Sequence, residues 1–153
     1  MMQHAKRVVG GAVLAFLVGV APPALASQAT DRTSVEQVKK DVGQAIESIK
    51  AYSADRREEA AARARAAIER LDGHIARLED RVNTEWDRMD RAARERLRPT
   101  LQALRRQRND LAEWSGRMRE SSAGAWDHIK QGFLESYRAL ADAFAKAENE
   151  FNK

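Results

Sequence analysis

Apolar residues recur every three or four positions along most of the chain after residue 33, which is the period of an amphipathic α-helix. The first stripe follows a capping box, in which Thr33 precedes Glu36 by three residues, and it ends at Tyr52. β-Branched residues are scarce in this part of the chain, which disfavours a sheet. The pattern predicts an all-α protein whose long amphipathic helices form an antiparallel helical hairpin or bundle, or a coiled coil. The second stripe comprises Ala61, Ala64, Ile68, Leu71, Ile75, Leu78 and Val82.

We predict one long coiled-coil-like region over residues 33–120, after a polar lead of residues 27–32. Residues 53–55 interrupt its stripe weakly. Pro99 predicts a kink or break at residues 98–99, because proline removes one backbone hydrogen bond and disfavours a helical conformation of the residue before it. After Val82 the apolar spacing loosens to an 11-residue repeat, which should straighten or reverse a left-handed supercoil.

The strongest pattern lies at the C-terminal end, after a loop of residues 121–124. Residues 125–151 form an amphipathic segment that is rich in aromatic side chains. A helix face this apolar must be buried against something. We predict that it packs within the chain or in self-association, with binding of a client protein or lipid as the alternative. The candidate packing or partner face comprises Trp126, Ile129, Phe133, Tyr137, Leu140 and Phe144.

The first 26 residues have the arrangement of an export signal. Lys6 and Arg7 precede the uncharged run 8–20, and Ala24-Leu25-Ala26 is a small-residue cleavage pattern. The uncharged run is too short to span a membrane, which takes about 20 apolar residues. We therefore predict a cleaved signal peptide, residues 1–26, and a periplasmic protein, with secretion as the alternative.

The charge balance narrows the classes of partner. The chain has 27 basic and 23 acidic side chains, and two of the basic ones lie in the signal. This near-neutral mixture disfavours a nucleic-acid-binding protein. An arginine-rich stretch could contact an anionic surface such as phospholipid headgroups, or it could be a solvated face that pairs with acids of a neighbouring helix. The arginines that share one helical stripe there are Arg91, Arg94, Arg98 and Arg105.

Residues that could support catalysis or bind a metal are few. The chain has no cysteine, which excludes thiolate sites and disulfides. His74 and His128 lack the glutamate three residues earlier that di-iron bundles use. Paired carboxylates such as Glu148 and Glu150 are typical of an exposed helix, whereas acid–base catalysis needs a carboxylate in a pocket. We predict a protein that is not an enzyme, with no catalytic residue, metal, cofactor, small-molecule substrate or nucleic-acid partner.

Four segments read YSADRREE, LDGHIARLEDR, LRRQRNDL and AWDHIKQGFLESYRALADAFAKA, the last after the Ser/Gly-rich loop. With these segments, residues 52–151 resemble a loosely defined family of small bacterial coiled-coil stress-response proteins. The resemblance implies an association with stress, and it assigns no chemistry and no site residue. The predicted signal peptide and the long apolar stripe without a site lead us to predict a protein that acts by interaction with an envelope protein, in envelope stress response or scaffolding. A more distant likeness to apolipoprotein-like amphipathic repeats supports the alternative function, reversible binding of anionic membrane surfaces.

Overall fold

The computed structural model describes the backbone of residues 23–153 and the side chains of residues 34–153. The predicted signal peptide lies outside the described residues, except that residues 23–26 begin the first helix. The described chain is almost entirely helical, which confirms the predicted all-α fold. Its helices are α1, Pro23–Lys50; α2, Arg57–Glu85; α3, Arg91–Glu120; and α4, Trp126–Phe151, with short 3-10 helices at Ala54–Arg56 and Trp86–Arg88.

Contacts between the helices define an up-down-up-down bundle. Asp72 of α2 forms an ion pair with Arg108 of α3, so the middles of these antiparallel helices adjoin. At one end of the bundle the start of α4 meets the end of α1, where Trp126 contacts Tyr52. Helices α3 and α4 share the most extensive contact. Each helix therefore packs against the next one along the chain, and α1 and α4 close the ring.

The core consists of the apolar stripes. The buried apolar residues of α3 are spaced seven apart, as in a coiled coil. Helix α2 buries alanines at the end of the bundle where α4 carries its largest side chains, so small residues lie at the level of large ones, as dense packing requires. The buried apolar residues of α3 are Leu97, Leu104, Leu111 and Met118, and the buried alanines of α2 are Ala60, Ala61, Ala64 and Ala67.

Helix α1 begins earlier than the capping pattern predicts. Its first residue is Pro23, so the predicted polar lead, residues 27–32, is helical. Proline is favoured at the first position of a helix because its φ is already fixed. The alanines and leucine of residues 24–26 are good helix formers. These residues extend the helix beyond the predicted start at Thr33, which corrects the predicted lead.

The predicted continuous region of residues 33–120 is divided by two chain reversals. The weak interruption at residues 53–55 is a full turn, in which a 3-10 helix links α1 to the antiparallel α2. The second reversal, at residues 86–90, was not predicted. Asp90 caps α3 there, because its Oδ1 accepts a hydrogen bond of 2.7 Å from the amide of Ala93. The loosened spacing therefore marks a turn, and it does not reflect an 11-residue repeat on one helix.

Pro99 lies inside α3, so the chain does not break at residues 98–99. The hydrogen bond lost to proline is the one that would reach the carbonyl group of Glu95. Both residues are exposed, and water can bond to the freed carbonyl oxygen. Next to the proline, Thr100 Oγ1 donates to the Leu97 carbonyl oxygen over 2.6 Å. The helix therefore continues past the proline.

Candidate functional site

The predicted packing or partner face of α4 points into the bundle. Phe133 and Tyr137 stack with ring centroids 5.8 Å apart, and burial raises the pKa of Tyr137 to about 12. Five of the six predicted residues are at most 1% exposed, while Ile129 is half-buried. A protein or lipid cannot reach these five side chains unless the bundle opens. The five are Trp126, Phe133, Tyr137, Leu140 and Phe144.

The first turn of α4 also provides donors for carbonyl groups at the end of α1. Trp126 Nε1 donates to the Tyr52 carbonyl oxygen over 3.0 Å. Lys130 Nζ lies 3.0 Å from the same oxygen and 3.0 Å from the carbonyl oxygen of Lys50. Carbonyl groups at a helix C-terminus have no partner within their own helix, so these donors tie the two helices together. No spacing rule links residues 74 positions apart, and sequence reasoning missed this contact.

Two of the four arginines of the predicted stripe hold the turn between α2 and α3. The guanidinium carbons of Arg94 and Arg98 lie 5.6 and 5.8 Å from the ring centroid of Trp86. Arg94 Nε also donates to the Trp86 carbonyl oxygen over 2.8 Å. Both arginines therefore have a role in the fold, because they contact the side chain of Trp86 and Arg94 also binds its backbone at the chain reversal.

The other two arginines of the stripe form ion pairs. Arg91 Nε donates to Glu95 over 2.8 Å on the same helix. Arg105 Nε lies 3.3 Å from a carboxylate oxygen of Glu79 on α2. All four arginines therefore have partners within the chain, which favours the solvated, paired face over the anionic-surface contact. None of the helices that the structure describes is both long enough and apolar enough to cross a membrane.

The outward seam between α3 and α4 carries two adjoining grooves. The first, which we call the basic half, encloses about 510 Å³ over a floor that includes Thr100, Ala103 and Ala143. Three cations and one carboxylate surround this floor. The hydrogen bond from Lys153 lowers the pKa of Glu150, and the charges of Arg96 and Lys146 contribute to the same shift. The charged lining residues are Arg96, Arg106, Lys146 and Glu150.

The second groove, the acidic half, encloses about 420 Å³ on the same seam. Its floor includes Gly132 and Ser136, and the half-buried Trp114 forms part of its lining. Three carboxylates and one cation line it, which reverses the balance of the basic half. Gln107 and Ala139 line both grooves and mark the middle of the seam. The charged residues of the acidic half are Asp110, Glu113, Arg117 and Glu135.

The seam was not predicted from the sequence, because apolar periodicity identifies only the buried stripe of each helix. A periodic signal was present beside that stripe. On α4 the seam positions are spaced by four and three residues, and most of them are small, so the two helices approach closely and leave grooves outside. These positions are Gly132, Ser136, Ala139, Ala143, Lys146 and Glu150.

One carboxylate of α4 lies inside the bundle. Glu148 is 1% exposed and forms an ion pair with Arg81 of α2, whose guanidinium carbon lies 5.2 Å from the ring centroid of Phe151. The prediction that Glu148 and Glu150 belong to an exposed face was wrong for Glu148, and Glu150 is only partly exposed. Its position next to the buried Ala147 carries it into the apolar stripe, where an arginine neutralises it.

His74 of α2 is half-buried and lies near both α1 and α4. Its ring meets Phe144 edge to face at 6.1 Å, and its Nδ1 lies 3.0 Å from Arg77 Nη2. Burial, and next the charge of Arg77, lower the pKa of His74, while Asp41 opposes the shift. A neighbouring guanidinium disfavours both imidazolium and a bound cation. The described part of the chain contains no cluster of three His, Cys, Asp or Glu side chains that could hold a metal ion.

Comparison with known proteins does not assign the seam to a family. No protein-family model, curated protein or solved structure matches this chain. The resemblance to stress-response proteins stays a prediction that rests on the four quoted segments. The functional interpretation therefore depends on the geometry of the bundle.

We expect Gly132→Ala to lower the free energy of unfolding by about 1 kcal/mol, although alanine is the better helix former by about 1 kcal/mol. A Cβ at this position would lie 2.5 Å from two ring atoms of Trp114. Displacing a packed ring costs about 1–3 kcal/mol, which outweighs the gain in helix propensity. Chemical denaturation followed by circular dichroism measures the change.

Gly116→Ala is the matched control, because nothing lies within 4 Å of a Cβ there. This variant should be as stable as the wild-type protein or up to about 1 kcal/mol more stable. Replacing Trp114 by alanine should abolish the cost of Gly132→Ala. A Gly132→Ala variant that gains as much stability as Gly116→Ala would contradict the packing described for Trp114.

Proposed function

We propose that this chain is a non-enzymatic helical-bundle protein that acts by protein interaction in the cell envelope, in a stress response or as a scaffold. The observation that carries the proposal is the α3–α4 seam, where a basic and an acidic half adjoin on an outward face. Most charged side chains of the seam are exposed, Arg106 and Glu135 among them. Exposed charges over a floor of small residues suit the docking of another surface.

The burial of the aromatic face supports a role for the seam. A partner that used the aromatic residues of α4 would have to compete with the core, because Phe133 and Phe144 are completely buried. Removing either from its packing would expose a large apolar side chain to water. Binding at the seam needs no such opening, so the folded bundle is already in its binding form.

The membrane-surface alternative has less support. It relies on the arginine stripe, and those arginines are held by Trp86, Glu79 and Glu95 within the chain. Docking on headgroups would have to break or share these contacts. The protein-interaction proposal uses other charges, which lie on the seam.

The predicted signal peptide supports the choice of compartment. The pattern of residues 1–26 favours cleavage after Ala26, which would remove the first four residues of α1 and keep its core residues, which begin at Val38. The partner would then be a protein of the envelope, and the four segments that resemble stress-response proteins agree with that setting.

Site-specific photocrosslinking in the cell tests the proposal. A photoreactive phenylalanine derivative is introduced at Arg106 or at Glu135, which are exposed on the two sides of the seam. We expect both positions to give discrete protein adducts on illumination. Lys40 and Glu47 are matched control positions, because they are exposed on α1, which lies diagonally across the bundle from α3.

Mass spectrometry of the adducts identifies the partner, and the N-terminal peptide shows whether the exported chain begins at Ser27. The proposal fails if Arg106 and Glu135 give no adduct above the level of the two α1 positions. It also fails in its choice of compartment if the chain stays in the cytoplasm with residues 1–26 attached.

A further inference from the structure

We infer that the α3–α4 seam binds a second copy of this chain, in an antiparallel two-fold dimer that lays the basic half of each copy on the acidic half of the other. This inference rests on the proposed function, because it names the protein that the seam binds. Three observations lead to it: the charge pattern, the position of its midpoint and the area of the face.

The charge pattern of the seam is complementary to itself after a reversal of direction. The basic half carries three cations and one carboxylate, and the acidic half carries three carboxylates and one cation. A two-fold interface needs a patch that is complementary to itself, because the same patch supplies both sides of the contact. Equal and opposite halves meet this requirement.

The midpoint fixes the axis of the dimer. Gln107 and Ala139 border both halves, so the charge reverses at their level on the bundle. A two-fold axis that crosses the helices at this level lays α3 on α3 of the partner subunit and α4 on α4 of the partner subunit, in antiparallel orientation. It also lays the basic half of each copy on the acidic half of the other. An axis along the helices would place basic on basic, which like-charge repulsion excludes. The charge pattern therefore selects one of the two face-to-face arrangements.

The area of the face suits a stable dimer. With 30 residues in α3 and 26 in α4, the two helices are about 45 and 39 Å long at a rise of 1.5 Å per residue. Two neighbouring helices cover a width of about 20 Å. The grooves extend over residues 96–117 and 132–150, about three-quarters of this face or roughly 600 Å² on each copy, which lies at the lower end of the area that a standard protein interface buries on each partner.

Lys146 and Glu135 provide a contact that can be tested. They lie on α4 on opposite sides of Ala139, so the axis brings Lys146 close to Glu135 of the partner subunit. Both side chains are exposed, and within one chain they are 11 residues apart, which is about 16 Å along the helix. At that distance water and salt screen their interaction, so a coupling between the two positions must arise between copies.

Charge exchange at these two positions tests the dimer in the chain purified from the envelope fraction. We expect Lys146→Glu and Glu135→Lys each to raise the dimer dissociation constant by about tenfold or more, because the two-fold axis turns one substitution into two like-charge contacts. The double variant K146E/E135K should return to within about threefold of the wild-type value, since it restores both pairs. Sedimentation equilibrium measures the dissociation constants.

Lys40→Glu on α1 is the matched control. It reverses an exposed cation that lies four residues after Glu36, just as Lys146 lies four residues after Asp142, so it removes the same kind of acid-first helix pair as Lys146→Glu. The control should dimerise as the wild-type chain does. Circular dichroism of every variant should show unchanged helix content, because none of the substituted side chains is in the core.

The inference is overturned if the wild-type chain is a monomer at about 0.1 mM, a concentration that saturates interfaces of this size in most proteins. It is also overturned if a dimer forms but the single variants leave it unchanged, or if the double variant is no tighter than the single ones. Adducts at Arg106 and Glu135 with a different envelope protein would then keep the proposed function while excluding the second copy. Loss of those adducts together with a monomeric chain would remove both.

Discussion

Replacing both Phe133 and Phe144 by alanine is expected to abolish the cooperative fold at room temperature. Each ring is completely buried, and removal of a buried phenylalanine side chain costs about 3–5 kcal/mol through lost burial and the cavity that remains. The two residues lie 11 positions, about 16 Å, apart on α4, so the two costs should add. A domain of this size is stable by about 5–15 kcal/mol, so the double substitution removes a large part or all of it.

Chemical denaturation followed by circular dichroism at the helix band provides the measurement. Each single variant should unfold cooperatively at lower denaturant, and the double variant should have lost most of its helix signal before denaturant is added. Phe151→Ala is the matched control: it makes the same chemical change at a half-buried ring near the end of α4, and should cost about 1 kcal/mol. Equal losses for Phe133→Ala and Phe151→Ala would contradict the described core.

The core of α4 could be predicted because its pattern is strong and continuous. Large apolar side chains recur at helical spacing from Trp126 to Phe144, and only one side of a helix can present them together. The structure buries them as this geometry requires, apart from the half-buried Ile129. The pattern does not predict which surface covers this face, because packing in an internal core and binding of a partner both need an apolar helix face. That answer came from the packing of the other three helices.

The reversal at residues 86–90 could not be predicted from the same kind of pattern. No glycine or proline marks it, and apolar side chains continue through it at nearly helical spacing. The turn is specified by side-chain contacts with the backbone, in which Asp90 caps α3 and Arg94 holds the Trp86 carbonyl group. Aspartate and arginine are so common in this chain that neither stands out. Pro99 is the opposite case, because this conspicuous helix breaker does not end the helix. It lies on an exposed side of α3, where water can bond to the carbonyl oxygen that the proline leaves without a backbone donor.

The candidate site was less predictable than the fold. The basic half of the seam brings Arg96 and Arg106 of α3 next to Lys146 of α4, and the acidic half likewise draws on both helices. No rule within one helix connects such positions. Their alignment depends on how α3 and α4 pair, which in turn depends on the turn at residues 121–125 and on the close approach of Trp114 to Gly132. A surface built from two helices needs the register between them, and periodicity alone does not provide it.

Replacing Trp126 by alanine is expected to lower the free energy of unfolding by about 3–5 kcal/mol, the range for a buried aromatic ring. Its indole ring is 1% exposed and fills the end of the bundle where α1 and α4 meet. The loss should combine the cavity with the hydrogen bond to the Tyr52 carbonyl oxygen. Trp126→Phe separates the two: it keeps most of the ring and loses the donor. It should cost only about 1 kcal/mol plus a small packing loss, because Lys130 Nζ remains 3.0 Å from the same oxygen.

Trp114→Ala is the matched control for the loss of an indole ring, since Trp114 is half-buried on the seam. It should cost clearly less than Trp126→Ala in the same denaturation measurement. Combining Trp126→Phe with Lys130→Met should cost more than the two single substitutions together, by about 0.5–1 kcal/mol, because the Tyr52 carbonyl group then loses both side-chain donors. Trp126→Ala and Trp114→Ala variants of equal stability, or strictly additive effects at Trp126 and Lys130, would show that α4 does not hold the end of α1 in this way.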